Sequence, residues 1–292
     1  MKQVLLWTNC QGGTISYMLS KYHSDKFELK YYLNYEYIRE NKTLPEEFKN
    51  ADIFIYQNYN SNKHGKDYDL DHIINSVLKP ECKKICIPFL YFEAMFSYDM
   101  RQSSNNFQTI DSKTPFGKFF YGVDFIDGRL SDIDKKNYTE DEKESLIESI
   151  YQDFISENAI SEEKIKYYYD RSFEYLENKI LSSDVPDLFE YIQTNFKKIR
   201  LWHNRNHPTG ILLNELVKEV FKLLNLDYII NEEEVKFLNK SINDWVMPIP
   251  LCVKKYYGME FSDECSSWTD SSIIDTKSFI KSYVNDLYFD FL

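Results

Sequence analysis

The sequence is poor in the residues that punctuate a chain. Eight glycines and eight prolines occur in 292 residues, so each one marks a place where the backbone needs it. Five histidines and five cysteines are present. The cysteines, Cys10, Cys82, Cys86, Cys252 and Cys265, are odd in number and scattered. That spacing argues against a disulfide scaffold and for a reducing, cytoplasmic setting. Cys82 and Cys86 have neither a second pair nor a histidine near them, so no metal is expected. Cys86 lies in the apolar run Ile85-Cys86-Ile87 and reads as core. No stretch approaches the ~20 apolar residues of a membrane span, and the N-terminal apolar run is too short for a signal-peptide core. Positive charge is also short: the formal net charge is −12 and the pI about 5.0. That balance argues against nucleic acid or an anionic membrane as partner for the whole surface and leaves room for a local basic pocket. Gly-x-Gly-x-x-Gly, the Walker loop, His-Glu-x-x-His and Gly-x-Ser-x-Gly are all absent, which removes the commonest nucleotide and hydrolase signatures.

What is there is apolar and aromatic. Hydrophobic residues make up 43% of the chain, enough for a sizeable core. Val4-Leu5-Leu6-Trp7 is a continuous apolar run, as expected of a strand covered on both faces. Gly12 and Gly13 follow, then helical spacing with Ile15, Met18 and Leu19 on one side. Phe27 to Tyr32 alternates like a strand. Ala51 to Gln57 and Lys84 to Phe92 read as buried strands, the latter breaking at Pro88, with a helix over Leu70 to Leu78 between them. The order βαβαβ predicts an α/β fold with an open, mainly parallel sheet of Rossmann or flavodoxin type.

Residues 97 to 140 turn polar and read as a long excursion with little regular structure. Leu146 to Ile155 and Ile165 to Ile180 then carry helical periodicity, which suggests a helical insertion over 139–183. Its stripe Tyr167-Tyr168-Tyr169 reads as packing. The α/β core is expected over 1–138 and 184–230, with an irregular and helical extension over 231–292. That extension holds a proline-bounded stretch, Trp245 to Leu251, and a final helix over Thr276 to Leu287. The acidic run Glu232-Glu233-Glu234 reads as a solvated helix start.

Asn9-Cys10-Gln11 thus falls at the carboxyl end of a strand and beside a helix start, where open α/β sheets bind ligands. A helix N-terminus favours a thiolate there; a small packed core thiol is the plain alternative. A second focus is Asn204-Arg205-Asn206-His207-Pro208-Thr209-Gly210. Strand character runs from Lys198 to His203, and Pro208 suits the first helical position. Asn206 and His207 are therefore expected at a strand end and helix cap, repeating residues 9 to 14. A thiol beside an imidazole is an activated nucleophile, with His207 as general base for Cys10. Two helix N-termini would supply N–H donors to an oxyanion or phosphate. Asn9, Gln11 and Asn206 add amides. Arg205 adds a charge suited to phosphate, or is a surface cation. His203 reads as a core histidine and His64 as a loop residue. Asp52 and Glu177 are candidates for a third catalytic member.

The two motifs Asn9-Cys10-Gln11-Gly12 and Asn206-His207-Pro208-Thr209 are similar to those of the WcbI-type family of capsular-polysaccharide biosynthesis proteins. The Ile87-Pro88 break, Ser172 to Glu177, Ile199-Arg200-Leu201 and Trp245 to Gly258 resemble the family as well. The family's usual glycine before Asn-Cys-Gln is Thr8 here, which alters the turn. The resemblance implies a protein that binds coenzyme A or acetyl-CoA and transfers acetyl groups to a sugar of a surface polysaccharide. It implies a distant likeness to SGNH esterase folds, with Cys10 at the nucleophile position. Cys10 and His207 would be catalytic, and Asn9, Gln11 and Asn206 orienting. Gly12, Gly13 and Arg205 would contact the cofactor, with a carbohydrate as acceptor. An SGNH-like esterase or thioesterase, and a non-catalytic CoA-binding component of polysaccharide assembly, are the alternatives.

Overall fold

The computed structural model describes residues 1–59, 64–96, 139–228, 232–241, 246–262, 265–266 and 273–286. The expected excursion over 97 to 138 and Trp245 lie outside the described residues. The described chain divides into two compact units: residues 1–90, 176–193 and 209–242 form one, and residues 91–175, 194–208 and 243–292 the other.

The first unit holds the sheet. Its strands are β1 (Lys2–Thr8), β2 (Phe27–Leu33), β3 (Ile53–Gln57) and β4 (Lys83–Ile87), in the order β2-β1-β3-β4. Every pairing is parallel, with Leu6 opposite Tyr31 and Ile55, and Gln57 opposite Ile87. The fold is therefore α/β with an open parallel sheet, as the apolar runs predict. From β1 the chain crosses to β2 on one side, then returns to β3 on the other. The carboxyl ends of β1 and β3 flank this reversal, the topological switch point at which such sheets open a ligand crevice.

Helix α1 (Gln11–His23) follows β1 directly, and α2 (Asn34–Arg39) follows β2. Side chains alternate across a strand. Leu5, Trp7 and Phe54 accordingly share one face with Phe48, Tyr68, Leu70 and Ile73. Val4 and Leu6 are buried on the other face, as are Ile15, Met18 and Leu19 of α1. The predicted helix over Leu70 to Leu78 is only one turn of α-helix, α3 (Leu70–His72). It widens into a π-type turn over Ile73–Val77, closed by Leu78 N–H donating to Ile73 O at 3.0 Å, and Pro80 follows.

Helix α4 (Glu140–Ile155) starts at a capping box, Thr139 with Glu142; this pairing satisfies two N–H groups that a helix end leaves open. α5 (Glu162–Leu181) and α6 (Asp187–Asn195) follow. α7 (Gly210–Leu223) belongs to the first unit, buries Leu212, Leu216, Val217 and Val220, and packs on α1. α8 (Glu232–Ser241) packs on α7. Its acidic start is not wholly solvated: Glu232 and Glu233 are exposed, whereas Glu234 is buried and takes hydrogen bonds from Lys21 and Tyr22. Those bonds hold its carboxyl below the usual range, Lys21 first.

The second unit is built on aromatics. Phe92 stacks on Trp202 with centroids 4.5 Å apart, and Tyr169, Phe173, Phe196 and Tyr257 pack edge-on or tilted around them. The tyrosine stripe thus serves packing. α9 (Leu251–Tyr257) ends at Gly258, whose φ of 62° is the left-handed cap that glycine favours. A short ribbon, β5 (Cys265–Ser266) with β6 (Ile273–Ile274), precedes α10 (Thr276–Asp286), which pairs with α4 through Lys277–Glu148.

Candidate functional site

The first turn that carries candidate residues follows β1. Cys10 is the N-cap of α1, with φ −55° and ψ −26°. Asn9 shapes the turn: its side-chain Oδ1 accepts from Gln11 N–H at 3.0 Å and its main-chain O from Gly12 N–H at 3.1 Å. Gly13 N–H donates to Cys10 O at 3.0 Å. The first three N–H groups of α1 are thus capped from within the turn. This corrects the expectation that this helix end offers them to an oxyanion or phosphate. Asn9 and Cys10 are half-buried, and the other four cysteines are buried.

Glycine at position 12 is a packing requirement. A Cβ there would lie 1.8 Å from Thr8 Oγ1. The turn therefore accepts threonine at position 8 because position 12 has no side chain, and Thr8 Oγ1 in turn donates to Asn9 O at 3.0 Å. At Gly13 a Cβ would meet the Tyr31 ring at 3.4 Å.

Beneath the turn, two glutamines close the switch point. Gln57, the last residue of β3, accepts from Asn9 N–H through Oε1 at 2.7 Å and donates through Nε2 to Pro88 O at 3.1 Å and to Gln11 Oε1 at 3.4 Å. Gln11 donates to Leu90 O and accepts from Leu90 N–H, both at 3.1 Å. Gln11 is 0% exposed, so its amide holds the chain leaving β4. This corrects the reading of Gln11 as an amide aimed at a ligand. Gln57 was missed in the sequence, where it reads only as the start of a polar loop.

Tyr31 was missed too. Its pairing opposite Leu6 puts it on the α1 side of β2, and its hydroxyl donates to Asn9 O at 2.8 Å. Burial pushes the Tyr31 phenol up, with a further push from the charge of Cys10. Tyr35 is shifted the same way, by burial and then by Cys10. Two phenols therefore flank the thiol. The only signal for Tyr31 was its place near the carboxyl end of the second predicted strand, and Tyr35 lies beyond it in α2.

The second turn singled out by the sequence, 202–208, lies in the other unit. Lys198 to His203 is not a strand. Trp202 makes a lone antiparallel bridge with Pro208, and His203 N–H donates to His207 O at 2.9 Å. Helix α7 starts at Gly210 with Thr209 as N-cap. Pro208 is therefore not the first helical residue, and Asn206 and His207 are not a helix cap. The bridge decides this by holding Pro208 extended. Asn204, buried to 0% exposure, organises the turn instead. Its Oδ1 accepts from the N–H groups of Asn206 at 3.0 Å and His207 at 3.1 Å, and its Nδ2 lies 3.4 Å from His207 Nδ1. Asn206 and His207 are half-buried, and His203 is buried in the core as expected.

Arg205 is 1% exposed. Its main-chain O accepts from Phe92 N–H at 2.9 Å, and its charge opposes that of Glu93, itself buried. Burial pushes the Glu93 carboxyl up, and Arg205, Tyr91 and Arg171 pull against it. The structure therefore buries Arg205 and does not leave it as a surface cation. Asp52 sits at the start of β3, the end of the sheet away from Cys10, accepting from Gln3 N–H at 2.7 Å and pairing with Lys79. Glu177 is exposed on α5. Among the described residues no cluster of His, Cys, Asp and Glu could hold a metal ion, and no helix is long and apolar enough to cross a membrane.

The structure thus gathers Asn9, Cys10, Gln11, Gly12 and Gly13 in one unit, and Arg205, Asn206 and His207 in the other. No functionally curated protein matches the chain. A solved structure of WcbI, described as a novel polysaccharide biosynthesis enzyme in its native form without a disulfide bond between coenzyme A and a cysteine, is similar in fold. Its TM-score is 0.59 at 14% identity, covering 98% of this chain and 90% of that one. The family model for the polysaccharide biosynthesis enzyme WcbI matches residues 3–228. A match over that much of the sequence, carrying the strand-end cysteine turn and the His207 turn alike, makes this chain a member of the WcbI family of polysaccharide biosynthesis enzymes.

Proposed function

We propose that the protein transfers an acetyl group from acetyl-CoA to a sugar hydroxyl in capsular or surface polysaccharide synthesis, in the cytoplasm. The observation that carries this reading is the placement of Cys10. It is the half-buried cysteine, it stands at the switch point of a parallel sheet, and it is held there by amides on both sides. The coenzyme A named for the WcbI structure supports the choice of donor.

In the covalent route, the Cys10 sulfur attacks the thioester carbonyl, the bond to coenzyme A breaks, and the thiol proton leaves with the coenzyme A sulfur. The sugar oxygen then attacks acetyl-Cys10, its proton returns to the Cys10 sulfur, and the sugar ester departs. In the direct route the sugar oxygen attacks the acetyl-CoA carbonyl itself, the bond to coenzyme A breaks, the hydroxyl proton leaves with the coenzyme A sulfur, and Cys10 lines the carbonyl. In both, His207 supplies the imidazole and Asn206 stands beside it. Asn9 commits its oxygen to Gln11 N–H, so its NH2 end is the part that polarises the carbonyl. Gln11 and Gly12 act from behind, through the shape of the turn.

The test incubates the protein with acetyl-CoA, with and without a capsular sugar acceptor, and follows free coenzyme A and acetylated sugar. Acceptor-dependent acetyl transfer, lost in Cys10→Ala, is the expected result. Mass spectrometry of the quenched protein reports acetyl on Cys10 if the covalent route runs. Coenzyme A release that ignores the acceptor would instead establish the thioesterase reading. Tight coenzyme A binding without turnover would establish the assembly component.

A further inference from the structure

The Asn204 amide has one possible orientation. Its Oδ1 accepts from two main-chain N–H groups, of Asn206 at 3.0 Å and His207 at 3.1 Å, and an NH2 in that place would meet two donors head-on. The other end of the amide is therefore the NH2, and it is this end that stands 3.4 Å from His207 Nδ1. An amide NH2 donates and has no lone pair to offer. Only a Nδ1 that carries its own lone pair fits against it. The partner of one ring nitrogen sets which nitrogen holds the proton.

We infer that Asn204 is a positioning residue that holds His207 as the neutral Nε2–H tautomer. Resting on the acetyl-transfer reading above, His207 then meets the reacting group as a hydrogen-bond donor through Nε2, and not as a base at that atom. This differs from the arrangement in which a carboxylate takes Nδ1–H and leaves Nε2 ready to accept a proton. It also disfavours the imidazolium, because a proton on Nδ1 would point at the NH2 hydrogens. In the reaction, the Nε2 hydrogen bond strengthens as negative charge gathers on the thioester oxygen, and no proton changes hands at His207.

The test reads the tautomer directly. Protein labelled with 15N-histidine is recorded ligand-free by long-range 1H–15N correlation, and His207 is assigned by the set of signals missing from His207→Gln. Wild type is expected to show the neutral Nε2–H pattern. In Asn204→Asp the carboxylate keeps both main-chain bonds and gives Nδ1–H an acceptor, so the pattern is expected to switch to Nδ1–H, with imidazolium persisting to higher pH. Nδ1–H in wild type would overturn the inference, as would an Nε2–H pattern unchanged in Asn204→Asp. Should that variant fail to fold, the wild-type spectrum alone decides. The spectrum needs no turnover, so absent acetyl transfer would sink the proposed function and leave the tautomer standing. Where transfer is measurable, Asn204→Asp is expected to lower it by about 10²-fold, the loss typical of one transition-state donor, and to introduce a new ionisation into the pH profile.

Discussion

The two turns that carry the candidate residues are built on one device and held by different forces. In each, an asparagine side-chain oxygen takes the main-chain N–H groups that follow it: Asn9 takes Gln11, and Asn204 takes Asn206 and His207. Around Asn9 the support is regular. A parallel strand leads in, a helix leads out, and Gln57 ties the turn to β3 and to Pro88. Around Asn204, among the described residues, the turn itself holds no helix or strand beyond the single Trp202–Pro208 bridge. There the support is a buried cation, Arg205, facing Glu93, with Phe92 stacked on Trp202. The comparison teaches that a site residue can be fixed by secondary structure or by buried charge, and that the two are vulnerable to different changes.

The largest expected effect breaks the charged support. Arg205→Met leaves Glu93 buried with only Arg171 and the Tyr91 hydroxyl to oppose its charge, and removing one partner of a buried pair costs about 3–5 kcal/mol. Chemical denaturation is expected to show that loss. Arg205→Met with Glu93→Leu should recover much of it, because the uncompensated charge goes as well. An equal loss in the single and double variants would show that Arg205 acts through its stem alone.

Next comes the steric support of the other turn. Gly12→Ala places a methyl into the Thr8 side chain at 1.8 Å, and overpacking of a tight site costs about 1–3 kcal/mol. Thr8→Ala removes Oγ1 but keeps the Cβ, which would still lie 2.7 Å from the new methyl. The double variant is therefore expected to regain only part of the loss in melting temperature. Full stability of Gly12→Ala alone would mean that the strand and helix separate easily at this point.

The same contrast explains what the sequence revealed. Buried parallel strands have to be apolar on both faces, so β1, β3 and β4 announced themselves as runs, and the switch-point location of Cys10 followed from their order. Gly12 was visible because so few glycines exist. The His207 turn was visible as a motif and misread as a structure: the preference of proline for a helix start is a local rule, and the bridge to Trp202 overrode it. Arg205 read as a phosphate contact or a surface cation because Glu93, whose charge it opposes, comes from a distant part of the chain. Gln57 and Asn204 are amides whose work depends on which backbone groups the fold brings to them, and no spacing in the chain encodes that. Tyr31 is one of 24 tyrosines, and only the register of β2 against β1 singles it out.

Gln57→Leu sharpens the comparison at intermediate cost. It strips the acceptor from Asn9 N–H and the donor from Pro88 O, and a buried polar group left unmade costs about 1–3 kcal/mol. The informative readout is local. The other four cysteines are buried, so the iodoacetamide rate of the folded protein reports on Cys10. That rate is expected to change in Gln57→Leu while Arg205→Met leaves it as in wild type. A Cys10 rate that responds to Arg205→Met and ignores Gln57→Leu would reverse the assignment of supports.

The smallest effect on stability comes from the substitution already used at the other turn. Asn9→Asp keeps an oxygen for Gln11 N–H and places a negative charge at the start of α1. A carboxylate near a helix N-terminus stabilises by about 0.3–1 kcal/mol, so the melting temperature should rise slightly. What the substitution removes is the NH2 that polarises the acyl carbonyl in the proposed reaction, and loss of one such donor lowers turnover by about 10²–10³-fold. Stability and activity are therefore expected to move in opposite directions at Asn9. A variant that is slightly more stable and fully active would leave Asn9 as the architect of the Cys10 turn and take it out of the chemistry.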